Sequence, residues 1–402
     1  MPYRELDFDR HNLVLAMSEV KDLFRMHFEQ GCRYVAKCFY EKALAVDFDG
    51  FINVGRYQRN CRRRGHRNGY RQRSLLTSVG ALDLRVPRDR EGKFQPELFT
   101  RYQRVDSSLE ETIRAMFLRG VSTRKVGEIL DVLCGERLSA SKVSTVTKEL
   151  DRAVCDFANS PIDDDFLFLF VDALSVSIRF GLKAKKVRLL VAYGIRTDGR
   201  RQLLSFQRSK SESYACWKGF VDNLQVRGLK GRNLKLIVMD GAPGLWAAVE
   251  EAYPFVEHQL CWVHKLRNVA KYCPQSLRQE CVSQATQIMY APSVAVAARR
   301  FRQFKQRWKD KIPKAVNCVE KDFDKLIPVF EFPETIRKMI RTTNVIERCF
   351  REVRRRLKVM GCFQNAKSCD RIIFAIFNYF NVKWTRNTEK IKTIKKVTDD
   401  AA

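Results

Sequence analysis

No stretch of the 402 residues approaches the run of about 18 apolar residues that a membrane-crossing helix needs. The longest uncharged stretch of that order, residues 282–298, is broken by Pro292 and carries many polar side chains, so no membrane contact is expected. A secretory leader is missing too. The opening MPYRELDFDR is charged and lacks an apolar centre, which speaks against a signal or transit peptide and for a soluble, cytoplasmic protein. The 13 cysteines, an odd number, run from Cys32 to Cys369 without paired spacing, the pattern of reduced and mostly buried thiols rather than a disulfide framework. Acid is short: 46 Asp and Glu stand against 75 Lys and Arg, a net charge of +29. Such an excess repels itself unless a polyanion screens it, and nucleic acid is the usual one. Hydrophobic residues at 45% and aromatics at 11% exclude a largely disordered chain, and ribosomal or histone-like proteins are smaller and poorer in aromatics. The composition describes a large nucleic-acid-handling protein of about two to four domains.

Residues 1–50 alternate charge with apolar positions such as Leu13, Val20, Leu23 and Phe24, the pattern of one or two amphipathic helices. The segment RYQRNCRRRGHRNGYRQR, residues 56–73, then places eight arginines in 18 residues with no acid. Tyr57, His66 and Tyr70 are interleaved with them. This reads as phosphate binding through Arg62, Arg63, Arg64, Arg67 and Arg71, against the plainer alternative of a solvated basic loop. Cys61 and His66, with Cys32 and Cys38 upstream, fit no common zinc spacing. RSLLTSVGALDLRVPR alternates with period two and turns at Val79-Gly80, predicting a β-hairpin across 72–87. Beyond Ser107 the period is helical. Val126, Ile129, Leu130 and Leu133 form one stripe, Gly135 breaks it, and Val143, Val146 and Leu150 form the next. Ser122 precedes the first run, and Ser139 and Ser141 the second. Two capped helices around a glycine turn make a helix-turn-helix candidate, a pattern any helical hairpin shares. Beside the basic patch it points to DNA, with Lys142 and Thr145 on the second helix facing bases.

At Phe166 the character changes. The run FLFLFV has the length of a buried strand and delivers Asp172. LSVSIRF, VRLLVAYGI and RQLLSF follow as antiparallel strands, then a helix near 211–226, then LKLIVM, which delivers Asp240. A helix from about residue 245, a short strand near 256–261 and a helix from about residue 264 complete an α/β core with a mixed sheet. Residues 274–335 are helical without a strand pattern. From Asn344, Ile346, Cys349, Phe350, Val353 and Leu357 make an apolar stripe with Glu347 beside it and Arg351, Arg354 and Arg355 following.

Asp172, Asp240 and Glu347 stand out by position. A carboxylate at the end of a buried strand faces either a site or an unsatisfied burial cost. Phosphodiester chemistry gives a reason to gather acids, because two Mg²⁺ ions about 3.5–4 Å apart are held by carboxylate oxygens. Each acid has a plainer reading. Asp172 could cap a strand end, Asp240-Gly241 is an ordinary turn pair, and Asn344 with Glu347 three residues on fits a capping box. Asp163, Asp164 and Asp165 precede the strand as a solvated turn.

MDGAPGLWAAVEEAYPFVEHQLCWVHKLRNV at 239–269 closely resembles the signature of mutator-type transposases of bacterial insertion sequences. VDAL at 171–174, YGIRTDGRRQLLSF at 193–206 and TTNVIERCFREVRRR at 342–356 resemble it as well, and RNGYRQR, VPRDREGKF and GVSTRKVGEIL match the family's N-terminal half. The resemblance spans roughly residues 55–385. It implies an α/β fold: an RNase H-like catalytic core with a mixed sheet and a helical insertion, preceded by a mainly helical DNA-binding half with a β-hairpin. The divisions expected are 1–55 helical, 56–105 basic segment and hairpin, 106–160 helix-turn-helix-like, 161–264 first part of the core, 265–335 insertion, and 336–402 last helices and basic tail.

By the same resemblance Asp172, Asp240 and Glu347 are the catalytic triad, holding two Mg²⁺ or Mn²⁺ ions. The partners implied are double-stranded DNA, as terminal inverted repeats and target, bound by a nucleoid-associated homodimer. Arg351, Arg354 and Arg355 would hold phosphates near the metals, or form a solvated basic face. The family's Cys-x-x-His element falls on Cys261 and His264, too few ligands for zinc. Trp262 and His264 are expected to meet an unstacked nucleotide at the cut site, the alternative being that Cys261 and Trp262 are core. Two other functions compete. A nuclease on the same core without strand transfer would need no sequence-reading half, and a DNA-bound regulator would bind without cleaving.

Overall fold

The computed structural model describes residues 13–386 apart from 59, 60, 101, 102, 120 and 149. The first 12 residues and the basic tail beyond Arg386 lie outside the described residues. The chain divides into two compact units, Met1–Glu149 and Leu150–Ala402.

The first unit opens with one 40-residue helix, α1 (Leu13–Ile52). Leu44, Phe48 and Ile52, four residues apart, bury one face of its C-terminal half. Leu44 packs on the hairpin of β1 (Arg67–Thr77) and β2 (Gly80–Asp89) through Leu75, Leu82, Leu84 and Val86. The hairpin turns between Thr77 and Gly80, where φ is +115°, a conformation that favours glycine. It starts earlier than the alternation indicates, at Arg67. That guanidinium donates to Asp49 Oδ1 and to the Val54 carbonyl, both at 2.7 Å, and lies over the Phe48 ring. Arg67 therefore ties β1 to the end of α1 instead of standing free for phosphate.

Three helices follow, α2 (Ser107–Leu118), α3 (Thr123–Cys134) and α4 (Ala140–Lys148). The Ser122 hydroxyl accepts from Lys125 N, Gly135 at φ +67° closes α3, and the Ser139 hydroxyl accepts from Lys142 N to open α4. The buried face of α3 is Val126, Leu130 and Cys134, while Ile129 and Leu133 are exposed, so the expected stripe is rotated. Gly127 explains the rotation: a Cβ there would lie 2.3 Å from the Leu138 carbonyl oxygen, so only glycine admits the returning chain.

The second unit begins with α5 (Leu150–Asn159), which packs on the last helix, eleven residues before the core start expected at 161. Its sheet has the order β5-β4-β3-β6-β7. β3 (Phe166–Phe180), β4 (Lys183–Arg196) and β5 (Arg201–Ser209) are antiparallel, and β6 (Leu236–Met239) and β7 (Glu257–Leu260) run parallel to β3 on its other side. The β5–β6 crossover carries α6 (Tyr214–Val226) and the β6–β7 crossover α7 (Pro243–Ala252). Both pack one face through Trp217, Phe220, Leu245 and Val249 on Val171, Ile237 and Met239.

From β7 the chain enters α8 (Trp262–Tyr272), α9 (Gln275–Met289), α10 (Val294–Trp308) and α11 (Pro313–Glu320), then α12 (Glu334–Ile340). It returns through α13 (Asn344–Met360) and α14 (Ala366–Arg386). After Gly361, Phe363 bonds alongside β3, its N–H to the Ser177 carbonyl and its own carbonyl receiving Arg179 N. The acids at 163–165 are structural rather than merely solvated: Asp164 accepts from Gly231 N at 2.7 Å and Arg196 reaches Asp163 and Asp165.

Candidate active site

Strand register brings the first two acids together. Val171 on β3 pairs with Met239 on the parallel β6, so Asp172 and Asp240, 68 residues apart in sequence, are the next residues on neighbouring strands. Neighbouring strands lie about 4.8 Å apart. Val171 and Met239 both face the α6–α7 core, so alternation points Asp172 to the other side. β6 ends at Met239, leaving Asp240 at its carboxyl end, where open α/β sheets place their binding crevices. Cys261 N donates to the Met239 carbonyl, which sets the start of α8 at the same level.

Asp172 is 5% exposed. It accepts from its neighbour Ala173 N at 2.7 Å and from Thr343. Burial pushes its carboxyl up to about 6, against the pull of His264 and helped by the charge of Asp240. Thr343, itself buried, also contacts the Cys261 sulfur at 3.4 Å through hydroxyl and amide. Cys261 is thus a core thiol that fixes the residue holding Asp172.

Glu347 arrives on the first turn of α13. The capping box does not form: Thr343 occupies the cap position without a side-chain bond. Instead both Glu347 oxygens are taken by Arg267 of α8, at 2.5 and 3.0 Å, with His264 Nε2 3.9 Å from one of them. Burial lowers the His264 pKa, but the Cys261 sulfur and the carboxylates of Asp172 and Asp240 outweigh it and raise the ring to about 9. The ring therefore stands among three acids, Asp172, Asp240 and Glu347. Among the described residues, no three His, Cys, Asp or Glu converge closely enough to form a metal cage as they stand.

Trp262, expected at an unstacked nucleotide, corrects to core. It is fully buried and its indole N–H donates to the Leu326 carbonyl at 2.9 Å, so no ring face is open to a base. Arg351 and Arg354 are exposed on α13, and Arg355 pairs with Glu352 at 2.8 Å. Sequence reasoning missed Arg267 and Thr343. The spacing of Arg267 three residues after His264 was a usable signal, since both then face the same way from one helix.

In the first unit, Arg71, Arg73, Arg104, Arg137 and Lys142 line a cleft of about 880 Å³ between β1 and the α3–α4 turn. Arg73 is committed to the carbonyls of Thr100 and Gln103. Thr145 is exposed one turn after Lys142, its hydroxyl donating back to the Ser141 carbonyl. Arg62, Arg63 and Arg64 lie in the exposed segment before β1, where Arg63 Nε donates to the Gly65 carbonyl at 2.7 Å. Among the described residues no helix is long and apolar enough to cross a membrane.

A mixed α/β unit with acids gathered at strand ends, joined to a basic helical unit, is matched by known proteins along nearly its whole length. The profile of the Mutator family of transposases covers residues 10–387. The transposase for insertion sequence element ISRM5 of Rhizobium meliloti (strain 1021) is 34% identical over 369 residues, 92% of each chain. That for IS256 in transposon Tn4001 of Staphylococcus aureus is 32% identical, covering 85% of this chain and 87% of that one. That for IS905 of Lactococcus lactis is 27% identical over 94% of both. Among solved structures, a Drosophila P element transposase strand transfer complex aligns over 70% of this chain and 80% of its own at 11% identity, with a TM-score of only 0.31. The chain belongs to the Mutator family of transposases and is a DNA transposase.

Proposed function

We propose that this transposase binds the terminal repeats of an insertion sequence, cleaves DNA there and joins the freed ends to target DNA, with Asp172, Asp240 and Glu347 as its catalytic acids. The register that sets Asp172 beside Asp240 at the end of β6 carries the reading. The sheet, three antiparallel strands and then two parallel ones, supports the RNase H-like core that the family resemblance implies.

The donor set fits a hard divalent cation. Asp172 is a buried carboxylate with no Lys or Arg bonded to it among the described residues, and a second carboxylate adjoins it, an arrangement that positive charge relieves. Asp172 and Asp240 would hold two Mg²⁺ or Mn²⁺ ions, with Glu347 joining them on exchange of its Arg267 partner. Such ions activate the attacking oxygen and stabilise the leaving one. The remaining work falls to side chains. Thr343 and Cys261 fix Asp172, Arg267 holds α8 against α13 at Glu347, and the charged His264 ring offers an N–H to a phosphate oxygen. Exposed Arg351 and Arg354 suit phosphate further along α13, with Arg355 released from Glu352 to join them.

In the first unit, the basic cleft would seat the repeat. Arg62, Arg63, Arg64 and Arg71 anchor phosphates, and Lys142 and Thr145 read bases. Joining two ends at once calls for two copies, so the working form is a homodimer on DNA.

The test is Asp172→Asn, Asp240→Asn and Glu347→Gln, each removing a charge at nearly constant volume. Every variant is expected to lose cleavage and joining of a pre-cut end while keeping end binding. Full activity in Glu347→Gln removes that residue from the triad, and hydrolysis without joining in the parent protein selects the nuclease reading.

A further inference from the structure

A trough runs away from the catalytic acids. Its cavity, about 810 Å³, begins at Asp240 and His264 and passes between α8 and α11. On α8, His264, Asn268 and Tyr272 recur every four residues and share one face; on α11, Lys314 faces the trough, followed just beyond the helix by Lys321. The floor is closed by Lys265, whose ammonium bonds Asp322 and the Cys318 carbonyl and so joins the two helices.

That pairing neutralises Asp322 at the floor, and the other acid of the lining, Asp240, stands at the catalytic end. Lys271, Lys314 and Lys321 are exposed on the walls, and none has a carboxylate partner among the ion pairs of the described residues. Tyr272 presents 49% of its surface. Asn268 carries an amide that Lys271 engages at 3.2 Å and that can also meet a base edge. A row of cations with one open aromatic ring and an amide is the chemistry that holds a single nucleic-acid strand: phosphates on lysines, a base on the ring.

The length of the α8 face fits the same occupant. From His264 to Tyr272 the helix rises about 12 Å, room for about three stacked nucleotides at 3.4 Å each.

Resting on the reading of Asp240 as part of the cleavage site, we infer that the α8–α11 trough is a binding site for unpaired DNA. One strand next to the scissile phosphate leaves the duplex there, its phosphates on Lys271, Lys314 and Lys321 and a base on Tyr272. The nucleotide contact that the sequence suggested for Trp262 belongs to Tyr272, nearly three turns further on.

The experiment uses the full chain in EDTA, where binding is read without cleavage. Fluorescence anisotropy compares a blunt 30-base-pair duplex with the same duplex carrying an unpaired four-nucleotide tail. The tailed probe is expected to bind about tenfold tighter. Tyr272→Ala and the double variant Lys314→Glu/Lys321→Glu should each abolish the preference, Tyr272→Phe should keep it, and Tyr272→Ala should leave blunt-duplex affinity unchanged. A tail containing 5-iodouridine should crosslink to Tyr272 on irradiation. Equal affinity for the two probes, a preference that survives both variants, or a loss shared equally by both probes overturns the inference. Since no catalysis is measured, these outcomes are separate from failure of the catalytic reading, which appears as absence of cleavage by the parent protein with Mg²⁺.

Discussion

Asp172, a proposed catalytic acid, shows how a buried carboxylate is set against the stability of its own fold. In the metal-free protein its carboxyl is raised from 3.8 to about 6, chiefly by burial. The native state therefore binds more protons than the unfolded state between about pH 4 and 6, and stability falls as pH rises through that window. Above about pH 6 the full penalty stands, near 3 kcal/mol at 1.36 kcal/mol for each unit. Asparagine keeps the shape and the acceptor for Ala173 N while removing the charge. Asp172→Asn is thus expected to raise the melting temperature at pH 7.5 in EDTA by several degrees and to change it little at pH 4. A lower melting temperature at pH 7.5 in thermal denaturation would mean that the carboxylate is a structural partner and the burial argument is wrong. Trp262 makes the opposite point: its large ring reads as a stacking surface in sequence, but the Leu326 carbonyl and full burial give it to the core.

Among elements, α8 and α13 meet at Glu347, which Arg267 pairs across 80 residues of sequence and His264 approaches to 3.9 Å. Arg267 is half exposed, so solvent weakens the pair, but it occupies both oxygens that a cation would use. Arg267→Ala is expected to tighten Mn²⁺ binding about tenfold in isothermal titration calorimetry, since one competing charge leaves at a cost of about 1.4 kcal/mol to the apo form. Glu347→Gln in the same background should cancel the gain; an affinity that stays at the parent value shows that Arg267 does not compete with the metal. Neither partner's pairing was legible in the sequence, because nothing local links a helix after β7 to one following the insertion. The strands were legible, since FLFLFV and LKLIVM are continuous apolar runs that end in acids, yet the register that sets those acids side by side is tertiary. The α3 stripe came out rotated for a similar reason: Gly127 admits the Leu138 carbonyl, and period alone cannot report a backbone that approaches from outside the helix.

At the scale of the molecule, the two units have separate cores. Leu76, Ile113, Val126, Leu130, Val143 and Val146 close one cluster in the first unit, and Leu44, Leu75, Leu82 and Val86 a second, all from residues before 150. The acids and the mixed sheet lie wholly in the other unit. Under the proposed function, a chain built this way would separate reading from cutting. The fragment 1–149 is expected to fold with a cooperative thermal transition and to retain preference for the end of the element flanking its own gene over a scrambled duplex, with no cleavage under any divalent ion. Within it, Arg71→Ala would remove one proposed phosphate contact, so the slope of log K against log salt should become shallower by about 1 without loss of preference. Lys142→Ala and Thr145→Ala should reduce the preference itself, because both residues project from the exposed side of a helix capped by Ser139 beside the basic cleft. The outcome that separates the alternatives is a fragment that folds but binds both duplexes equally. In that case the cleft supplies only charge, the bases are read elsewhere in the chain, and α4 is a packing helix.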